Sequence, residues 1–119
     1  MFYIINYSSE IFFINNNAFG LTVKTEKQEN VKITDKELEN DEFLIVENLK
    51  KYFEKEIKNK KIKKISKKDF QVQGSFVIKI KFVDIDEAIV EIKSYGFEGT
   101  NSNLVKLKFR KKDRIWEKI

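Results

Sequence analysis

A chain of 119 residues, 41% hydrophobic and 36% charged, is long enough to bury one core, too apolar for a disordered polymer and too charged for a membrane-embedded one. Its formal charge is +5, and it contains no cysteine, histidine or proline, which excludes disulfides and thiolate metal sites and removes the commonest general base near neutral pH. Catalysis would have to rest on carboxylates, Lys, Tyr or Ser alone, so the composition argues against an enzyme and implies no cofactor.

The N-terminal run from Phe2 to Ile14 is apolar but broken by Asn6, Ser8, Ser9 and Glu10. It has no basic leader and falls far short of the roughly 20 apolar residues of a spanning helix, so a cytoplasmic location with no membrane partner is the expectation. Richness in Lys, Asn, Ile and Phe resembles AT-rich coding, common in low-GC bacteria and their phages. Residues 1 to 34 read as short strands. Phe2 to Tyr7 and Ile11 to Ile14 are expected to flank a Ser8-Ser9-Glu10 turn, and Asn15-Asn16-Asn17 makes a second polar break. Leu21-x-Val23 and Val31-x-Ile33 alternate at period two. The unbroken run Ile11-Phe12-Phe13-Ile14 suits a strand covered on both faces.

Thr34-Asp35-Lys36-Glu37 has capping-box spacing, and beyond it Ile45, Val46, Leu49, Phe53 and Ile57 share one face at spacings of three and four. With acids in the first half and lysines at the end, as the helix macrodipole favours, the pattern predicts a helix over residues 35 to 58. The period then switches to two. Phe70, Val72, Phe76, Ile78, Ile80 and Phe82 point one way, while Gln71, Gln73, Ser75, Lys79 and Lys81 point the other, with Gly74 expected at a bulge or bend. Asp84-Ile85-Asp86 turns the chain. Ala88, Val90 and Ile92 continue the apolar face, as do Val105, Leu107 and Phe109 after a loop from Gly96 to Asn103. Lys111-Lys112-Asp113 leads into a last short strand around Ile115 and Trp116. The resulting fold is a single α+β domain over residues 1 to 119. One main helix packs on a mostly antiparallel sheet, with N-terminal hairpin strands and a C-terminal four-stranded meander.

Three charged constellations are candidate binding surfaces. Residues 55 to 68 hold eight lysines, among them Lys58, Lys60, Lys61, Lys63, Lys64, Lys67 and Lys68, against the single acid Glu56. Such density attracts phosphates through counterion release, although lysines also simply complement a helix C-terminus. Alternation also places Lys79, Lys81, Lys93, Lys106, Lys108 and Arg110 on one side of the meander, with Tyr95 and Phe97 beside them and Glu87 and Glu91 interspersed. Basic and aromatic side chains interleaved in this way can hold a nucleic-acid backbone and stack bases. Glu37, Glu39, Asp41, Glu42 and Glu47 are expected on the exposed helix surface, where an acidic stripe could occupy a basic groove or merely favour the helix N-terminus. Asp84, Asp86 and Glu87 lack calcium-loop spacing and read as a hairpin turn, so no metal site is expected.

From Ile89 onward, Val90-Glu91-Ile92-Lys93-Ser94-Tyr95-Gly96, then Leu104 to Phe109, then Arg114-Ile115-Trp116-Glu117 resemble the closing strands of NTF2-like and cystatin-like small domains. In NTF2-like domains a late Lys/Arg-x-Trp is frequent. Members include immunity proteins that neutralise toxins, enzymes with conical pockets and non-catalytic modules. The resemblance covers about a quarter of the chain and implies no particular functional residue, and the strands before the helix differ from the helical start of NTF2-like domains. Three readings follow. The first is an inhibitor or immunity-type protein whose partner is a bacterial protein or nucleoprotein effector, such as a nuclease, in the manner of anti-CRISPR proteins. The second is direct RNA or DNA binding through the lysine surfaces, and the third is an NTF2-like small-ligand pocket.

Overall fold

A computed structural model describes residues 2–14, 17–58, 72–95 and 104–119. In chain order the elements are β1 (Phe2–Ile14), β2 (Asn17–Gln28), α1 (Asp35–Lys58), β3 (Val72–Asp84), β4 (Glu87–Tyr95), β5 (Leu104–Lys112) and β6 (Ile115–Lys118). The strands form one mixed sheet in sequence order, β1 to β6. Among the described strands only the β2–β3 pair is parallel, and α1 lies in the crossover that this pair requires.

The helix begins where the capping box predicts. The Glu37 amide donates to Thr34 Oγ1 at 3.2 Å and the Thr34 amide to Glu37 Oε2 at 3.4 Å, which satisfies first-turn donors reciprocally. Its buried stripe is Leu38, Ile45, Val46, Leu49 and Phe53. These side chains meet the inner face of the sheet, formed by Phe19, Leu21 and Val23 of β2, Phe76, Ile78, Ile80 and Phe82 of β3, and Ala88, Val90 and Ile92 of β4, with Phe109 and Trp116 beyond. At one end of the core Phe12, Phe19, Phe53 and Phe76 cluster, with Phe53 stacked on Phe76 at 4.1 Å between ring centroids. At the other, Trp116 meets Phe82 edge-on at 5.8 Å.

Three expectations for the N-terminal third are corrected. Ser8-Ser9-Glu10 is not a turn. It pairs with Val23, Thr22 and Leu21, so β1 is one continuous strand in a single long hairpin with β2. Backbone pairing to a well-buried neighbour outweighs the low strand preference of these residues. Val31 and Ile33 are buried without forming a strand, in the connection that enters α1, where the Val31 amide donates to the Gln28 carbonyl at 3.0 Å. Nor is the Ile11–Ile14 run covered on both faces. Phe12 is buried under α1, but Ile11 and Phe13 are 50% and 56% exposed, because one helix covers only one side of the sheet.

Elsewhere, pairing skips Gln73, so the bulge in β3 falls immediately before Gly74, and Asp84 to Glu87 is a tight turn. The β5–β6 turn places both Asp113 (φ 52°) and Arg114 (φ 65°) in the left-handed region, as a two-residue hairpin of matching twist demands.

Candidate interaction surface

The face of the sheet turned away from α1 has no helix over it among the described residues, and alternation and register together decide what it presents. Cross-strand rows run Ile4–Glu26–Lys81–Ile89–Lys108, then Tyr7–Lys24–Lys79–Glu91–Lys106, then Ser9–Thr22–Val77–Lys93. The predicted cations Lys79, Lys81, Lys93, Lys106, Lys108 and Arg110 do share this face with Tyr95, and Lys24 joins them. Lys58 closes α1, but its side chain, together with Lys60, Lys61, Lys63, Lys64, Lys67, Lys68, Phe97 and the loop from Gly96 to Asn103, lies outside the described residues.

The cationic face is partly neutralised. Glu91 lies 3.3 Å from Lys81 and 3.9 Å from Lys106, Glu87 lies 3.2 Å from Arg110, and Glu26 lies 3.6 Å from Lys24. The exposed Glu87–Arg110 pair contributes about 0–1 kcal/mol to stability, and all four pairs lower the field offered to a polyanion. Lys79, Lys93 and Lys108 have no carboxylate partner among the described residues. Lys93 sits 6.0 Å from the centre of the Tyr95 ring, and Lys81 sits 5.6 Å from that of Phe2.

Toward β1 this face changes character. Phe2, Ile4, Tyr7, Ile11 and Phe13 are exposed along it, interrupted by Ser9, with Tyr7 69% accessible. On the helix side of the same strand, Ser8 and Glu10 border a groove of about 260 Å³ whose far wall is Glu39, Glu42, Phe43, Val46, Glu47 and Lys50 of α1. Lys50 bridges Glu10 at 3.1 Å and Glu47 at 3.2 Å. Partial burial alone would lower the Lys50 amine pKa, but the two carboxylates outweigh it and raise it above the usual lysine range.

The expectation that all five helix acids are exposed is overturned at two positions. Asp41 is buried, accepting from Trp116 Nε1 at 3.0 Å and Lys111 Nζ at 3.4 Å. Glu42 accepts from Thr25 Oγ1 at 2.6 Å and Asn6 Nδ2 at 2.7 Å. These adjacent acids clamp α1 to opposite sides of the sheet, Asp41 to β5 and β6 and Glu42 to β1 and β2. Asp41 had a legible signal, since it falls between Leu38 and Ile45 on the buried stripe at spacings of three and four. Asn48 Nδ2 adds a 3.1 Å bond to the Trp116 carbonyl. Glu37, Glu39 and Glu47 are exposed as expected.

Among the described residues, no group of three or more carboxylates is arranged to hold a metal ion, and no helix is long and apolar enough to cross a membrane. Comparison with protein-family models, with curated proteins and with solved structures finds no match.

Proposed function

We propose that this chain is a non-catalytic binding protein of the inhibitor or immunity type, which acts by occupying a surface of a bacterial effector protein. The observation that carries the reading is the edge strand β1, which among the described residues pairs only with β2 and exposes Phe2, Ile4, Tyr7 and Ile11 on its outer side. Exposed apolar side chains clustered on a small domain mark an interaction site, and aromatic residues of this kind are enriched at protein interfaces. The likeness of residues 89–119 to domains that include toxin-neutralising proteins points the same way, as does the charge segregation along the chain. A panel of purified bacterial nucleases, each with and without its nucleic acid, is the test. Co-elution with one of them and loss of its activity supports the reading, and the absence of a stable complex across the panel overturns it.

A second reading is direct RNA or DNA binding, favoured by Lys79, Lys93 and Lys108, which have no carboxylate partner among the described residues, on the same face as Tyr95. It requires affinity for single-stranded oligonucleotides that falls steeply with salt and weakens when these three lysines become glutamate. Salt-insensitive binding would remove it.

A further inference from the structure

We propose that β1 receives an extended segment of a partner protein as a seventh strand, and that this segment alternates basic residues on the helix side with apolar residues on the other. The proposal deepens the protein-binding reading by naming the chemistry of the partner's contact segment.

Folded proteins blunt exposed sheet edges with short strands, lysine, proline or bulges, because unpaired backbone groups template further pairing. β1 runs for thirteen residues, contains no Lys, Arg or Pro, and has one bulge, at Ile5. Its sole charged residue is Glu10. Such an edge is primed for strand addition, in which main-chain bonds supply affinity and alternate side chains supply specificity.

The two sides of β1 then dictate what an added strand must carry. On the outer side its residues would lie beside Tyr7, Ile11 and Phe13, where cross-strand apolar pairs are favourable. On the inner side they would point into the groove under α1, toward Glu10, Glu39 and Glu47. The single Lys50 is shared between Glu10 and Glu47, and Glu39 has no partner among the described residues, so this wall carries surplus negative charge. Basic side chains from the incoming strand match it.

The same wall disfavours the other occupants. Pairing of β1 with β1 of a second copy about a twofold axis would bring two acidic helix flanks together across the new junction. A nucleic-acid strand would meet an edge with no cation of its own and a row of carboxylates behind it.

The test uses the full chain and synthetic fluorescent peptides of about ten residues, a strand's length. One alternates lysine and valine, one carries the same residues in two blocks, and one alternates glutamate and valine. Fluorescence anisotropy is expected to show binding of the first and at least about tenfold weaker binding of the other two, the effect of two or three cross-strand pairs. The exposed double substitution Glu39→Lys with Glu47→Lys, and separately Ile11→Ser, should each weaken the alternating peptide about tenfold while circular dichroism is unchanged. Equal binding of the block peptide, or no binding of the alternating one, overturns the proposal. So does a dimer in sedimentation that Ile11→Lys dissolves, since the second copy is then the occupant, and so does an oligonucleotide that competes the peptide away from β1. An effector complex that survives all the β1 substitutions would leave the inhibitor reading intact and remove this one. Peptide binding with no effector complex would do the reverse.

Discussion

The two edges of the sheet are opposites. β6 is four residues long, is reached by a tight turn, exposes Glu117 and Lys118, and is pinned to α1 through Trp116, Asp41 and Asn48. β1 is thirteen residues long, and Phe12 is the one buried side chain among those described on it. One edge is closed by shortness, charge and side-chain bonds. The other has no outer neighbour among the described residues and is held by backbone pairing to β2, by the Phe12 anchor and by two polar ties from α1. Shortness, charge and side-chain ties to the helix are concentrated on β6, and this asymmetry is what makes β1 the place to look for a partner.

Removing each edge's anchor should break the comparison in opposite ways. Phe12→Ala deletes a ring packed 5.7–6.2 Å from Phe19, Phe76 and Phe53, and is expected to cost about 3 kcal/mol in chemical denaturation, with β1 the first element to lose amide protection. Asp41→Ala strands the buried Trp116 indole and should cost about 2–3 kcal/mol, with β6 becoming the labile edge. Asp41→Asn, which keeps an acceptor for the indole, should lose less. Arg114→Gly removes a side chain from a left-handed position and should sharpen the contrast by stabilising β6 by about 1 kcal/mol, read as a raised denaturation midpoint. The smallest effect concerns Lys50. Because its pKa is raised in the folded chain, its contribution is fully present below its unfolded pKa of about 10.4 and is lost as pH rises through the higher folded value. Lys50→Met should therefore flatten the alkaline limb of the stability profile, by less than about 1 kcal/mol.

The helix and the strands after it were legible in the sequence because their patterns are local. The capping box at Thr34 and Glu37, the stripe at Leu38, Ile45, Leu49 and Phe53, and the period-two runs from Phe76 to Phe109 each report which face is buried. The shared face of Lys79, Lys93, Lys106 and Arg110 follows from the same alternation. The N-terminal third was misread because its decisive interactions are distant in sequence. Ser8 to Glu10 is held extended by residues 21 to 23, and the parallel pairing of β2 with β3 joins segments separated by the whole helix. The clamp at Asp41 was readable in part, since an acid on an apolar stripe and a lone tryptophan each need a partner when buried, though nothing local says that they find one another. That Glu87 and Glu91 would take up Arg110 and Lys81 depended on cross-strand register, which composition does not reveal.

The central claim is that β1 is the open, partner-receiving edge. Amide hydrogen exchange of the full chain, with and without the alternating lysine and valine peptide, tests it most directly. Alternate amides of β1 are expected to exchange quickly in the free chain and to slow on addition of the peptide, while β6 is unchanged. Slowing confined to β3, β4 and β5, or no slowing anywhere, would contradict it.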